Sequence, residues 1–217
     1  MSIGMILLIA LALLILFGAL QRVLDRMALT DRQALLCVAA IFVGGLLPDF
    51  SLGIVQINIG GAIVPIIICV YLLLHAGTTK ERIRAVVSAA LTAAAVYVLT
   101  LIIPSDPVSM PFLDPMILYG IAAGLIAWLL GRSRRSAFVA GVSGVIIADL
   151  ISAMTLWARG ISQTLYLGGA GALDAVVLSG VIAVLMCELT GEIVERMMAR
   201  KGVSQNKRGA IHGGSRA

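Results

Sequence analysis

From Ala85 to Ile103 the chain reads AVVSAALTAAAVYVLTLII, nineteen residues without a charge, and a run of this kind constrains the fold more than any other feature. A helix of about 20 apolar residues crosses the roughly 30 Å hydrocarbon core of a bilayer. Helices of water-soluble domains keep a polar face instead. Six further runs share the pattern, and the candidate spans are 3–20, 29–47, 56–76, 85–103, 116–131, 136–157 and 164–187. The chain is 60% hydrophobic and only 12% charged, against about 25% charge in soluble domains, which excludes that class. The expected fold is all-α: a polytopic transmembrane helix bundle of about seven spans.

The basic residues give this count an independent check. Of 16 Lys and Arg, 15 fall after the first, third, fifth or seventh span: Arg22, Arg26 and Arg32; Lys80, Arg82 and Arg84; Arg132, Arg134 and Arg135; and six from Arg196 to Arg216. Only Arg159 falls on the other side. A single missed helix would scramble this alternation. The positive-inside rule then puts the N-terminus outside and the C-terminus in the cytoplasm, and the expected location is the inner (plasma) membrane. No Lys or Arg precedes the first run, whereas Arg22 and Arg26 follow it, so it is expected to be a retained anchor rather than a signal peptide. Two regions follow: a transmembrane helical domain, 1–197, and a basic tail, 198–217, whose polar, Gly-rich composition predicts disorder. Basic loops beside anionic lipid account for the pI near 9.5, so membrane lipids are the expected partners and no nucleic acid is needed.

Several local signals mark boundaries or packing. Thr30 and Gln33 have capping-box spacing at the start of the second run. The segment PSDPVSMPFLDP, 104–115, holds four of the six prolines and predicts an irregular external loop carrying Asp106 and Asp114. Gly120 with Gly124, and Ala140 with Gly144, are small residues at a spacing of four, which lets membrane helices approach closely. Cys37, Cys69 and Cys187 are unclustered, lie in apolar runs and form no Cys-x-x-Cys, while His75 sits at a span edge and His212 in the tail; no metal site or cofactor is predicted from them.

Asp149 and Asp174 are the two carboxylates well inside apolar runs, and an acid there costs roughly 2.5–3.5 kcal/mol on insertion scales, which by default indicates function. Asp149 lies 13 residues from Ser136, and Asp174 lies 14 from Glu188; at about 1.5 Å per residue both sit roughly 20 Å from the cytoplasmic end. On consecutive antiparallel helices they are placed to face one another. Two such carboxylates share a proton, one able to act as base on water and the other to donate to a carbonyl oxygen. Gly168, Gly169 and Gly171 precede Asp174 and predict a flexible or unwound stretch, tolerated at membrane depth only beside protein or a water-filled cavity. Asn58 and Pro65, with Gln56, are candidate neighbours if the third span lies beside the seventh. NIGGAIVP (58–65) and LGGAGALD (167–174) share Gly-Gly-Ala, each following a span with an aspartate on its outer side, Asp49 and Asp149, as divergent copies of one hairpin would.

The pieces GLLPDFSLGIVQINIGGAIVPIIICVYLL, GVSGVIIADLI and LGGAGALDAVVLSGVIAVL, over about residues 25–190, resemble a family of prokaryotic membrane proteins catalogued only as a domain of unknown function. That resemblance implies a polytopic membrane protein and brings no activity with it. GALDAVVLSGVIAVL is also similar to the segment around the second catalytic aspartate of presenilin-type and signal-peptide-peptidase-type intramembrane proteases, a Gly-x-Gly-Asp pattern leading into an apolar helix. It implies a catalytic role for Asp174, with Gly171 near the start of the pattern; Leu173 stands where the pattern has glycine, Asp149 follows Ala148 rather than an aromatic residue, and no Pro-Ala-Leu segment follows. Three functions stay open. The first is an intramembrane aspartyl hydrolase cleaving a membrane-embedded peptide with an Asp149/Asp174 dyad. The second is a small secondary transporter or proton-coupled permease using the same acids on a small solute. The third is a non-catalytic membrane scaffold.

Overall fold

The computed structural model describes residues 30–103, 115–169, 171 and 174–213. Over these residues the chain forms six helices: α1 (Asp31–Leu46), α2 (Val64–Leu74), α3 (Thr79–Ile102), α4 (Pro115–Gly131), α5 (Arg134–Ala158) and α6 (Ala175–Gly213). Three short strands, β1 (Phe50–Leu52), β2 (Val55–Ile57) and β3 (Leu165–Leu167), and a π-helical turn (Ile59–Ile63) leading into α2 complete the order. Thr79–Ile102, Arg134–Ala158 and Ala175–Val194 are long and apolar enough to cross a membrane; Arg32–Leu46, Ile59–Leu74 and Met116–Gly131 are apolar but shorter. The protein is therefore helical, apolar and membrane-like. The expected first span, 3–20, and residues 104–114 of the proline-rich segment lie outside the described residues.

Side chains set the helix starts. Thr30 accepts the Gln33 amide at 3.3 Å while its own amide donates to Gln33 Oε1 at 2.9 Å, a complete capping box. Thr78 caps α3 through the Glu81 amide, and Ser133 caps α5 through the Ser136 amide.

The helix α5 is central, packed against α2, α3, α4 and α6. Small residues set the distances: a Cβ on Gly144 of α5 would lie 2.7 Å from Thr92 Cγ2 on α3, and one on Gly124 of α4 would lie 2.7 Å from Ile182 Cβ on α6. Ala127, Ala137, Ala140 and Ala183 form a fully buried cluster nearby. Close packing through small residues substitutes for the water-driven association that lipid cannot supply. Leu91, Val98, Leu101, Leu129 and Met154 point outward and stay exposed, an apolar exterior of the kind that faces hydrocarbon.

Charged and polar side chains gather at the end where α5 begins. Arg134 Nε donates to Glu188 Oε2 at 2.6 Å, Ser133 Oγ donates to Glu81 Oε1 at 2.8 Å, and Arg135 Nη1 donates to the His75 carbonyl at 2.8 Å. The strands lie at the other end, beyond Ala158. Their sheet has the order β1-β2-β3: β1 and β2 form an antiparallel hairpin with Phe50 opposite Ile57, and β2 and β3 run parallel with Val55 opposite Leu165.

One expectation needs correction. The runs 56–76 and 164–187 are not continuous helices, because each opens as a strand, and the all-α expectation gives way to a mostly helical fold with one small mixed sheet. The physical reason lies in alternating β-branched and bulky residues, Val55-Gln56-Ile57 and Leu165-Tyr166-Leu167, ahead of glycines that weaken a helix. The helix α6 runs through Gly213, and no proline interrupts it after Pro115.

Candidate functional site

The second break in the chain places Asp174. After β3, Gly168 turns with φ +68° and Gly171 with φ +59°, left-handed conformations that glycine adopts without a Cβ penalty. The Gly171 amide donates to the Gly168 carbonyl at 2.8 Å, and the Asp174 amide donates to the Gly171 carbonyl at 3.1 Å. Asp174 then starts α6. Its Oδ1 accepts the Val176 amide at 2.9 Å and its carbonyl accepts the Leu178 amide at 3.0 Å. The sequence reading placed Asp174 within a weakened helix; the structure makes it the residue on which the helix begins, only 5% exposed.

Asp149 comes from the middle of α5 and is half-buried. The Arg134–Glu188 pair fixes the register of antiparallel α5 and α6: Asp149 is 15 residues beyond Arg134, and Asp174 is 14 before Glu188. At about 1.5 Å per residue the two acids share one level to within a residue's rise. Contacts farther along agree, since a Cβ on Gly141 would lie 3.0 Å from the Ser179 carbonyl oxygen and one on Gly180 would lie 2.8 Å from Val142 Cγ2.

Both line one cavity of about 400 Å³ between the ends of α3, α4 and α5, strand β3 and the start of α6. Its polar wall comes from Thr100, Tyr119, Ser152, Gln163 and Thr164, and Val96, Val145, Leu156 and Leu165 supply the apolar part. Among the described residues, Asp149 and Asp174 are the only acids lining it. Water, a backbone carbonyl or a cation fits such a setting, an apolar pocket with a few convergent polar groups. Among the described residues no group of three or more His, Cys, Asp or Glu converges as a metal site would need.

The other residues expected at the site sit elsewhere. Asn58, 3% exposed, caps the π-helical turn by accepting the Gly61 amide at 2.9 Å, donates from Nδ2 to Asp49 Oδ1 at 2.9 Å, and gives its own amide to the Leu167 carbonyl at 2.9 Å. It ties the two breaks together without lining the cavity. Pro65 is buried at the first turn of α2. Gly168 packs against the backbone of Gly61, and a Cβ on Gly171 would lie 3.0 Å from Gly45. Gly169 is exposed beside Tyr166. These glycines shape the break that carries Asp174 and do not line the pocket.

Sequence reasoning missed Thr100, Tyr119, Gln163 and Thr164, which reach the cavity from segment ends whose placement only the tertiary structure supplies. Ser152 was within reach: it stands three residues after Asp149 on α5, hence on the same helix face.

Neither a curated protein nor a solved structure matches the chain. Residues 22–186 match the family described as "Protein of unknown function (DUF1614)". With the match covering most of its length, the chain belongs to the DUF1614 family.

Proposed function

We propose that this protein is a multi-pass protein of the inner (plasma) membrane that hydrolyses peptide bonds within the bilayer, with Asp149 and Asp174 as its two catalytic carboxylates. The carrying observation is that both acids stand at one level of α5 and α6 and line the same cavity. The distribution of basic residues supports seven spans with the N-terminus outside and the C-terminus in the cytoplasm. A cavity toward the outer face is supported by its lying at the end of the bundle away from Arg82, Arg134 and Arg135.

Roles follow from the surroundings. Asp174 sits at the start of α6 and accepts the Val176 amide, where a helix favours negative charge; it is the base. Asp149 carries the shared proton and is the acid. A water attacks the scissile carbonyl carbon, giving one proton to Asp174 while Asp149 protonates the carbonyl oxygen. When the resulting diol collapses, the C–N bond breaks, Asp174 returns its proton to the leaving nitrogen, and Asp149 recovers a proton from the diol, leaving an acid and an amine.

A second reading, proton- or cation-coupled transport through the same acids, is favoured by one observation: the Gly-Gly breaks of two spans meet, as Gly61 and Gly168. Discontinuous helices are a common basis for transport sites. It ranks second because Asp49, Gly60 and Gly61 do not line the cavity. In a scaffold, Asn at both acid positions would change stability alone.

The test uses full-length protein in liposomes made from native membrane extract, in water enriched in oxygen-18. Hydrolysis predicts new peptide C-termini carrying the label, absent with Asp149→Asn and with Asp174→Asn. Unlabelled termini together with acid-dependent proton flux would replace this reading with transport; neither signal would leave the scaffold.

A further inference from the structure

A second cavity, about 530 Å³, opens at the opposite, charged end between α4 and α6, lined by Trp128, Leu129, Arg132, Arg134, Thr190 and Val194 among others. Its parts differ in chemistry. Trp128 Nε1 donates to Thr190 Oγ1 at 3.2 Å, and Thr190 donates to the Met186 carbonyl at 2.7 Å, so this wall is satisfied and fixed. Leu129 and Val194 form an outward apolar lip, 63% and 42% exposed.

The floor is cationic. Glu188 neutralises Arg134, but Arg132 is exposed and has no hydrogen-bond or ion-pair partner among the described residues. It is also the one non-glycine among the described residues with a left-handed backbone, φ +58°, a conformation that costs a bulky residue roughly 1–2 kcal/mol. The first amides of α5 follow directly: that of Ser136 is taken by the Ser133 hydroxyl, and those of Arg134 and Arg135 have no acceptor within the helix. Among the described residues no carboxylate lines the cavity.

We propose that this cavity binds the headgroup of an anionic phospholipid, its phosphodiester on Arg132 and the first turn of α5 and its acyl chains along Leu129 and Val194. The single uncompensated charge matches a monoanionic headgroup such as phosphatidylglycerol. A zwitterionic lipid brings the same phosphate with an ammonium group that no acid in the cavity meets. Basic pockets between transmembrane helices recognise anionic lipid by this chemistry.

The inference rests on the membrane placement proposed above, which is read separately by whether detergent is needed to extract the full chain. Extracted protein is incubated with phosphatidylglycerol or phosphatidylcholine of identical acyl chains, and retained lipid is counted by native mass spectrometry. Wild type is expected to prefer phosphatidylglycerol by about fivefold, the worth of one interfacial arginine. Arg132→Gln and Arg132→Gly should both abolish the preference, the second also relieving the left-handed backbone, while Arg84→Gln at another exposed, unpaired position should retain it. Equal retention of the two lipids by wild type, or an undiminished preference in both Arg132 variants, overturns the proposal. Displacement of the lipid by inorganic phosphate at equal concentration overturns it in favour of a soluble anion.

Discussion

Gly61 and Gly168 meet backbone to backbone where the two broken segments of the chain cross: a Cβ on Gly168 would lie 2.8 Å from the Gly61 Cα, and one on Gly61 would lie 2.8 Å from the Gly168 Cα. Any side chain at either position would enter the main chain of the other. The crossing holds β2 and β3 in parallel register and sets the point from which the chain returns to begin α6 at Asp174.

Gly168→Ala should therefore lower stability by about 2–5 kcal/mol, combining left-handed strain with overpacking. Gly53→Ala is the control: Gly53 also has a positive φ, +63°, but no atom lies within 4 Å of its would-be Cβ, so strain alone predicts about 1–2 kcal/mol. Thermal unfolding of both variants in the same detergent checks the order. Equal losses would mean that the crossing is not tight.

Asn58 donates to Asp49 and accepts from Gly61 in the interior. Asn58→Leu strands the buried Gly61 amide, at about 1–3 kcal/mol, and removes the donor to the half-buried Asp49 carboxylate. Asp49→Asn keeps an acceptor for the Asn58 amide and is expected to cost less than half as much in the same unfolding measurement.

The Arg134–Glu188 pair is partly buried, with side-chain exposures of 11% and 22%, between the exposed pairs that contribute about 0–1 kcal/mol and the buried ones whose breakage costs about 3–5 kcal/mol. Glu188→Gln is expected to cost about 1–3 kcal/mol by unfolding. Replacing both partners with methionine should recover part of that loss, since no uncompensated charge remains.

Asp174 has a structural task as well as the proposed chemical one. Asp174→Ala removes the cap from α6 and should lose about 1 kcal/mol, whereas Asp174→Asn keeps an oxygen for the Val176 amide and should lose little. If hydrolysis disappears equally in both variants while only Ala shifts the unfolding temperature, capping and chemistry are separated. Retained hydrolysis in the Asn variant would remove Asp174 from the catalytic role.

How much was readable beforehand differs by element. The helices α3, α4 and α5 were legible as uninterrupted apolar runs, and α1 through its capping box, because those signals are local. That Asp149 and Asp174 stand at one level of their helices was legible too, since antiparallel helices of fixed rise convert residue counts into height. The strands were not: three-residue strands within apolar runs have the composition of buried helix, and β3 is distinguished only by pairing with β2, more than a hundred residues away. Of the glycines in the two Gly-Gly-Ala stretches, Gly61 and Gly168 pack against one another, Gly60 packs against α1 and Gly169 is exposed beside Tyr166; none of them lines the pocket. Nothing local in the sequence announced that Asn58 would bridge to Asp49.

The account rests on Asp149 and Asp174 facing each other across one cavity. In full-length protein with Cys37, Cys69 and Cys187 changed to alanine, Asp149→Cys and Asp174→Cys would be combined and treated with a short, membrane-impermeant bifunctional thiol reagent. An intramolecular cross-link is predicted for this pair and not for Ile147→Cys with Asp174→Cys, because Ile147 faces outward from α5. If both cysteines of the first pair react singly and never link, or if the Ile147 pair links as readily, the acids do not share the cavity and the proposed dyad is wrong.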